Sequence, residues 1–587
     1  MRATISAIAA FLLLAQAVVP GQGGQYRTLN DRFPGPAFTS RAEWDARAAY
    51  LREHVLASAG LLPLPERTPL NPVIFDELTR EGYVVSKVHF ESLPGFFVTG
   101  NIYRPVGEGP FPAVLSAHGH WTYGRLENSP LVSGPGRAIT LARQGFVVFS
   151  YDMVGYNDSR QLTHTFGGPR EHLWGLSLAG LQLWNSIRSL DFLESLPYVK
   201  RDAMGITGES GGGTQTFMLA AADARVAAAV PVNMISLHMQ GGCLCENPPG
   251  LRLDTTNVEI AATIAPRPLL MVSATGDWTA ETLELEYPAV RALYALSGAP
   301  DRVGAVRFTA EHNYNKDSRE AMYGWMARWL KGAASSERVP EPSFSPDALP
   351  ALLVFHGRPL PGRAATADAL TASWIESAKR QLAAAPLAVR AAALRHALGF
   401  GAEAASRPPG APRPRRPSVL VAGETPDVEA ALRKAGYVVR PIPFTPFDQA
   451  AAGKVRHFET YNRTAASQRV ADIVAALGAE PGAVLVAAGD AALAGVLASA
   501  IEPPRLAILD VQGFDTSRDD GFLAHLYIPG LRRAGDLLTA SEVAQGRLVI
   551  HNAGPQFGAA GARVQGTRLT PAGIVGIVRQ SAGARGR

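Results

Sequence analysis

Apolar and polar positions along this chain change period several times, and the changes mark out its elements. Residues 41–59 carry apolar positions at helical spacing, whereas residues 84–89 alternate as a half-buried strand does. Residues 96–103 alternate again after Ser92-Leu93-Pro94-Gly95, which predicts a hairpin. Short runs rich in Val, Ile and Phe then recur at 113–117, 146–150, 203–207, 226–232, 269–273 and 305–309, with helical stretches between them. Strands alternating with helices predict βαβ units, a mostly parallel sheet and helices on both faces. This first unit is expected to end near a helix at 318–330.

Periodicity is lost and proline gained over 335–350, as in an interdomain linker. Helical spacing returns at 367–382 and 388–398, and the run from Arg407 to Pro414 is a second break. A smaller α/β alternation follows, with strands expected at 418–422, 483–488, 505–510 and 547–551 and a helix at 465–477. The expected organisation is a signal segment at 1–17, a first α/β domain at 26–334, a linker and helical segment at 335–417, and a second α/β domain at 418–587.

At 587 residues the chain exceeds what one core holds, which agrees with two domains. The net charge of +5 comes from scattered arginines without a basic stripe, so nucleic acid is not an expected partner. Arg2, the apolar run 5–14 and Ala15-Gln16-Ala17 have the layout of a cleaved secretory signal, which implies a secreted or periplasmic protein with no membrane span after cleavage. Only Cys243 and Cys245 occur, too few for a disulfide scaffold. They are either a tight Cys-x-Cys bridge or two buried thiols. With His238 and Glu246 nearby a metal can be imagined, but the spacing matches no standard zinc pattern, and neither metal nor cofactor is expected.

The chemistry centres on Gly208-Glu209-Ser210-Gly211-Gly212, a G-x-S-x-G element between the strand-like run 203–207 and a helix-like run. In that setting the glycines permit a sharp turn that lifts Ser210 Oγ clear of the backbone, with a helix N-terminus behind it. A serine needs a base, itself oriented by a carboxylate. Asp277 follows the run 269–273, and His312 follows the run 305–309. Glu246 and Glu281 are alternative acids, and His118, His120 and His238 alternative bases. Gly175-Leu176-Ser177-Leu178-Ala179 is a looser serine motif inside a helical stretch, which excludes Ser177. For the oxyanion, the expected donors are the N–H groups of Gly211 and of His120, the latter from the loop His118-Gly119-His120-Trp121.

His118-Gly119-His120, Tyr151-Asp152-Met153-Val154-Gly155, Gly208 to Gly212, Ala265-Pro266-Arg267-Pro268 and His312-Asn313-Tyr314 together resemble the α/β-hydrolase superfamily. The similarity runs over about residues 80–332, nearest to bacterial secreted esterases of the acetyl-xylan-esterase and dienelactone-hydrolase-like group. It implies an α/β-hydrolase core, and the smaller α/β alternation that follows contains no G-x-S-x-G, so a second domain without a nucleophile elbow is expected. It also implies a metal-independent serine esterase acting on small-molecule or carbohydrate esters, often acetyl groups.

A serine peptidase of the prolyl-oligopeptidase type and a non-catalytic carbohydrate-binding protein are the alternatives. The segment from His238 to Asn247 departs from the general pattern and falls where a lid or pocket wall is expected. His118, Trp121, Glu246 and Trp278 are candidate substrate contacts. Tyr123 and Trp174 are further candidate sugar platforms, and Arg125 and Arg252 could meet an acidic substituent.

Overall fold

The computed structural model describes residues 25–401 and 417–583. The signal-like segment and the break from Arg407 to Pro414 lie outside the described residues. The first unit is a nine-stranded sheet in the order β1-β2-β3-β5-β4-β6-β7-β8-β9. Its strands are β1 (Val73–Arg80), β2 (Tyr83–Leu93), β3 (Phe96–Pro105), β4 (Phe111–Ser116), β5 (Val147–Tyr151), β6 (Val199–Glu209), β7 (Val226–Val232), β8 (Leu269–Ala274) and β9 (Val303–Phe308). β1, β2 and β3 pair antiparallel, and β3 joins β5 antiparallel. From β5 to β9 every pairing is parallel.

Burial on both faces explains the near-continuous apolar runs. Alternate residues Leu115, Phe149 and Ile206 pack with Trp44, Trp184 and Phe217 from helices Arg41–Ser58, Leu178–Ser195 and Gly211–Ala222. Val114, Val148, Val230 and Val272 face the other way, onto Ala138 and Met322 of helices Gly134–Arg143 and Lys316–Lys331. This mostly parallel sheet, sandwiched by helices and carrying a turn from β6 into a helix, is an α/β-hydrolase architecture.

The edge strand β1 escapes the sequence pattern for a physical reason. Its residues are largely exposed, Val73 and Ile74 included, so no buried face imposes alternation. Ser177 caps the helix Leu178–Ser195, its hydroxyl accepting from Gly180 N–H at 3.1 Å.

The second sheet has the order β11-β10-β12-β13-β14-β15, all parallel. Its strands are β10 (Val419–Ala422), β11 (Val439–Pro441), β12 (Val484–Ala488), β13 (Leu506–Asp510), β14 (Leu548–His551) and β15 (Arg563–Val564). That order repeats β5-β4-β6-β7-β8-β9 strand for strand. The likeness extends to one turn. Gly489, between β12 and helix Asp490–Ile501, has φ 62° and ψ −138°, close to the φ 55° and ψ −121° of Ser210. The second unit therefore keeps the backbone of an elbow with glycine in place of the nucleophile.

The units are bonded together at several points. His172 Nδ1 meets Glu459 Oε2 at 3.0 Å, and Arg533 Nε donates to Gly60 O at 2.9 Å. Helix Ala367–Ala384, in the intervening segment, packs into the first unit's core, its Trp374 indole N–H donating to Trp174 O at 2.9 Å. No helix among the described residues is long and apolar enough to cross a membrane.

Candidate active site

At the end of β6 the chain turns sharply into helix Gly211–Ala222, with Ser210 in a positive-φ conformation that a non-glycine residue adopts only under constraint. The constraint is visible. Ser210 N–H donates to Val232 O at 3.0 Å, and Ser210 O accepts from Thr214 N–H at 2.9 Å. A Cβ on Gly208 would stand 2.5 Å from Gly212 O, and one on Gly212 would stand 2.8 Å from His118 O. The motif's outer glycines thus let three backbone segments meet at the turn. As the first residue of its helix, Gly211 has an N–H with no intrahelical acceptor.

Asp277 and His312 come from the loops after β8 and β9. His312 Nδ1 lies 2.8 Å from Asp277 Oδ2, and the Asp277 side chain is almost fully buried. The other carboxylate oxygen accepts from Thr279 N–H at 2.7 Å and from its hydroxyl at 2.5 Å. One oxygen therefore closes the turn while the other holds the imidazole. Neither alternative acid reaches His312: Glu281 pairs with Arg32, and Glu246 is engaged in its own loop.

The imidazole lies 4.5 Å from the Trp278 ring centroid and 6.4 Å from that of Trp121. Asn233 ties the His312 loop to the end of β7, where Ser210 N–H is also anchored, by donating to Asn313 O at 3.1 Å.

The loop His118-Gly119-His120-Trp121 is fixed to the elbow by Glu209, a residue that sequence reading passed over. Glu209 Oε1 accepts from Gly119 N–H and from the Trp121 indole N–H, both at 2.9 Å. Its Oε2 pairs with Arg137 at 2.8 Å, and both side chains are buried. Arg137 also donates to Ser116 Oγ and Ala117 O, each at 2.9 Å, and stacks on Tyr314 at 4.5 Å. One buried ion pair thus braces both the serine turn and the loop beside it. The His120 ring reaches Gly211 closely enough that a Cβ there would stand 2.6 Å from His120 Cε1.

Five of the candidate contacts are buried: His118, Glu246, Arg125, Arg252 and Trp174. His118 is buried: its Nδ1 lies 2.7 Å from Gly119 O, and its Nε2 accepts from Met153 N–H at 2.9 Å. Burial lowers its pKa to about 3, so it is a neutral strut and not a substrate contact. Glu246 is also buried, and its carboxylate accepts from the N–H groups of Gly242 and Cys243 at 2.7 and 2.8 Å. Arg125 is enclosed by Asp152 and Asp158, and Arg252 by Asn247 and Asn257, so neither is open to an acidic substituent. Trp174 lies buried between the units, its indole N–H donating to Asp519. Trp121 and Trp278 are partly exposed beside His312, and Tyr123 is exposed.

The loop from His238 to Asn247 follows β7. Cys243 and Cys245 are free thiols. Neither His238 nor Glu246 joins them. Instead His120 Nε2 stands 3.1 Å from Cys245 Sγ, and His164 completes the group. A hydrogen bond from Cys245 pushes the Cys243 thiol far below its ordinary pKa, while burial pushes Cys245 well above it. Burial opposes a charge on His120, but the hydrogen bond to Cys243 and the charge of Glu246 outweigh it and raise its pKa.

The second unit props this loop: Thr460 Oγ1 donates to Asn247 O and Tyr461 OH to Asn247 Oδ1, both at 2.9 Å. A separate cavity between the units is lined by His172, Glu459, Arg463 and Arg533, and none of the elbow residues contributes to it.

No protein-family model matches the chain. Over 289 residues, covering 46% of this chain and 95% of the relative, it is 27% identical to "Putative hydrolase YtaP" of Bacillus subtilis. Among solved structures it is similar to methylesterase BT1017, at 29% identity over 59% of this chain and 78% of that one, with a TM-score of 0.49. A carbohydrate esterase family 15 glucuronoyl esterase from Caldicellulosiruptor kristjansonii is 17% identical over 56% of this chain and 96% of that one, with a TM-score of 0.36.

Proposed function

We propose that this protein is an exported serine hydrolase that cleaves carboxylic esters, with residues 26–334 as its catalytic domain and 418–587 as a non-catalytic partner. The observation that carries the reading is the 2.8 Å contact between His312 Nδ1 and buried Asp277, in loops anchored to the same strand end as the strained Ser210. With Nδ1–H donated to the carboxylate, Nε2 is the free base. Ser210 Oγ attacks the ester carbonyl as His312 Nε2 takes its proton. The imidazolium then protonates the leaving alcohol, and water reverses the sequence to release the acid. Asp277 stabilises the imidazolium that forms between the steps, with the Trp278 ring 4.5 Å away. The N–H groups of Gly211 and His120 are the oxyanion donors in this account.

The alcohol side is taken to be carbohydrate, and the acyl group acetyl, because partly exposed Trp121 and Trp278 flank the base as flat apolar faces and the sequence motifs resemble those of acetyl-xylan esterases. Export rests on the layout of residues 1–17. Ser210→Ala should abolish hydrolysis of p-nitrophenyl acetate and of acetylated xylan while leaving the melting temperature within about a degree. Substantial residual turnover would exclude Ser210 as nucleophile. Preferential cleavage of aminoacyl amides by the native enzyme would make it a peptidase.

A further inference from the structure

Three loops that cross at the C-terminal edge of the first sheet bring together His120, His164, Cys243 and Cys245. The candidate ligand atoms of these four side chains all lie within 4.8 Å of one another. His120 follows β4, His164 lies in the loop after β5, and the cysteines lie between β7 and β8. Zinc bonds near 2.3 Å to sulfur and 2.0–2.1 Å to nitrogen place tetrahedral ligand atoms about 3.3–3.8 Å apart, so small side-chain adjustments close such a site here.

A second observation points to a ligand. His164 Nδ1 lies 2.6 Å from Val154 O, which makes Nδ1 the protonated nitrogen. Its Nε2, left with a lone pair, is buried and has no hydrogen-bond partner. Metal-bound histidines typically show this arrangement, one nitrogen donating to a carbonyl and the other bound to the ion. The rings of His120 and His164 pack edge-to-face at 5.2 Å, and Tyr156 packs against His164 at 4.9 Å, so both imidazoles are held in place.

We propose that His120, His164, Cys243 and Cys245 form a structural zinc site beside the serine turn. Two thiolates and two imidazoles are a donor set that favours a soft or borderline tetrahedral ion, and four protein ligands leave no open position for a substrate. The ion's role is mechanical. It clamps the departing loop from His238 to Asn247 onto His120, whose Nδ1–Cε1 edge lies against Gly211. Zinc on His120 Nε2 also fixes that ring in the tautomer with Nδ1 protonated, facing the elbow. On binding, any protons still carried by the two sulfurs and by His120 Nε2 are released to solvent, and no redox step is involved.

The test is metal analysis of the full chain, purified with a phosphine reductant and given equimolar zinc before gel filtration. One zinc per chain is expected, lost in Cys243→Ser and in His164→Gln but retained in His238→Gln. Cobalt in place of zinc should give thiolate-to-metal charge-transfer absorption with intense tetrahedral bands in the wild-type chain, a readout that needs neither a folded variant nor ester turnover. Wild-type chain that retains no zinc, a cobalt complex without the thiolate band, or undiminished zinc in folded Cys243→Ser would overturn the site. A Cys243–Cys245 disulfide in protein isolated without reductant would overturn it as well.

Discussion

Replacing Glu209 in two ways separates its two jobs. The carboxylate neutralises buried Arg137 through Oε2 and anchors the His118–Trp121 loop through Oε1. Glu209→Gln keeps an oxygen for Gly119 and Trp121 but leaves Arg137 a buried cation facing an amide. Breaking a buried pair by removing one partner costs about 3–5 kcal/mol, a large share of the roughly 5–15 kcal/mol that holds a typical domain together. Glu209→Ala carries that penalty and also frees the loop.

Misplacing one oxyanion donor costs about 2.7–4 kcal/mol of transition-state stabilisation, or ~10²–10³ in kcat. The expected pattern is two variants with similarly reduced urea midpoints but unequal catalysis. Gln should stay within about tenfold of wild-type kcat, while Ala should fall by ~10²-fold or more. Both are to be assayed with p-nitrophenyl acetate at a temperature where circular dichroism shows them folded. Equal kcat for the two folded variants would refute the claim that Glu209 positions the oxyanion loop.

Asp277→Asn should lower kcat by ~10³–10⁴ with little change in KM, because an amide can hold His312 in the wrong tautomer, and a loss below tenfold would count against Asp277 as the orienting acid. His396, buried 3.2 Å from His54, has its pKa lowered to about 3 by burial and by His54, despite Glu53 at 3.6 Å. The unfolded chain therefore takes up this proton first: the contribution is complete above about pH 6.5 and is lost as pH falls towards 3, at about 1.4 kcal/mol per pH unit. His396→Gln should flatten the slope of unfolding free energy between pH 6 and 4, and parallel slopes would contradict this. Tyr461→Phe removes the bond to Asn247 and should lower stability by about 1 kcal/mol, measured by urea titration.

What the sequence reveals about the site is what local signals encode. The serine turn, Asp277 and His312 each follow a short apolar run that forms a strand, so β6, β8 and β9 are recognisable with the residues they present. Residues whose role depends on distant partners stay hidden. Glu209 is one letter inside the motif until Arg137, Gly119 and Trp121 surround it. His164 has no local pattern at all, and only the crossing of three loops brings it to Cys243 and Cys245. Arg125 and Arg252 look available because charge suggests exposure, but each is matched by buried partners. The pairing between the two units is equally silent: Trp174 reads as a sugar platform until Asp519 meets it, and Tyr461 carries no local signal of its bond to Asn247.

The central claim is that Ser210 is the activated nucleophile. Incubation of the native chain with a fluorophosphonate, followed by peptide mass mapping, tests it directly. A single adduct on Ser210 is expected, formed in step with complete loss of ester hydrolysis and absent in His312→Ala. Ester hydrolysis that survives full treatment, or an adduct on another residue, would contradict it.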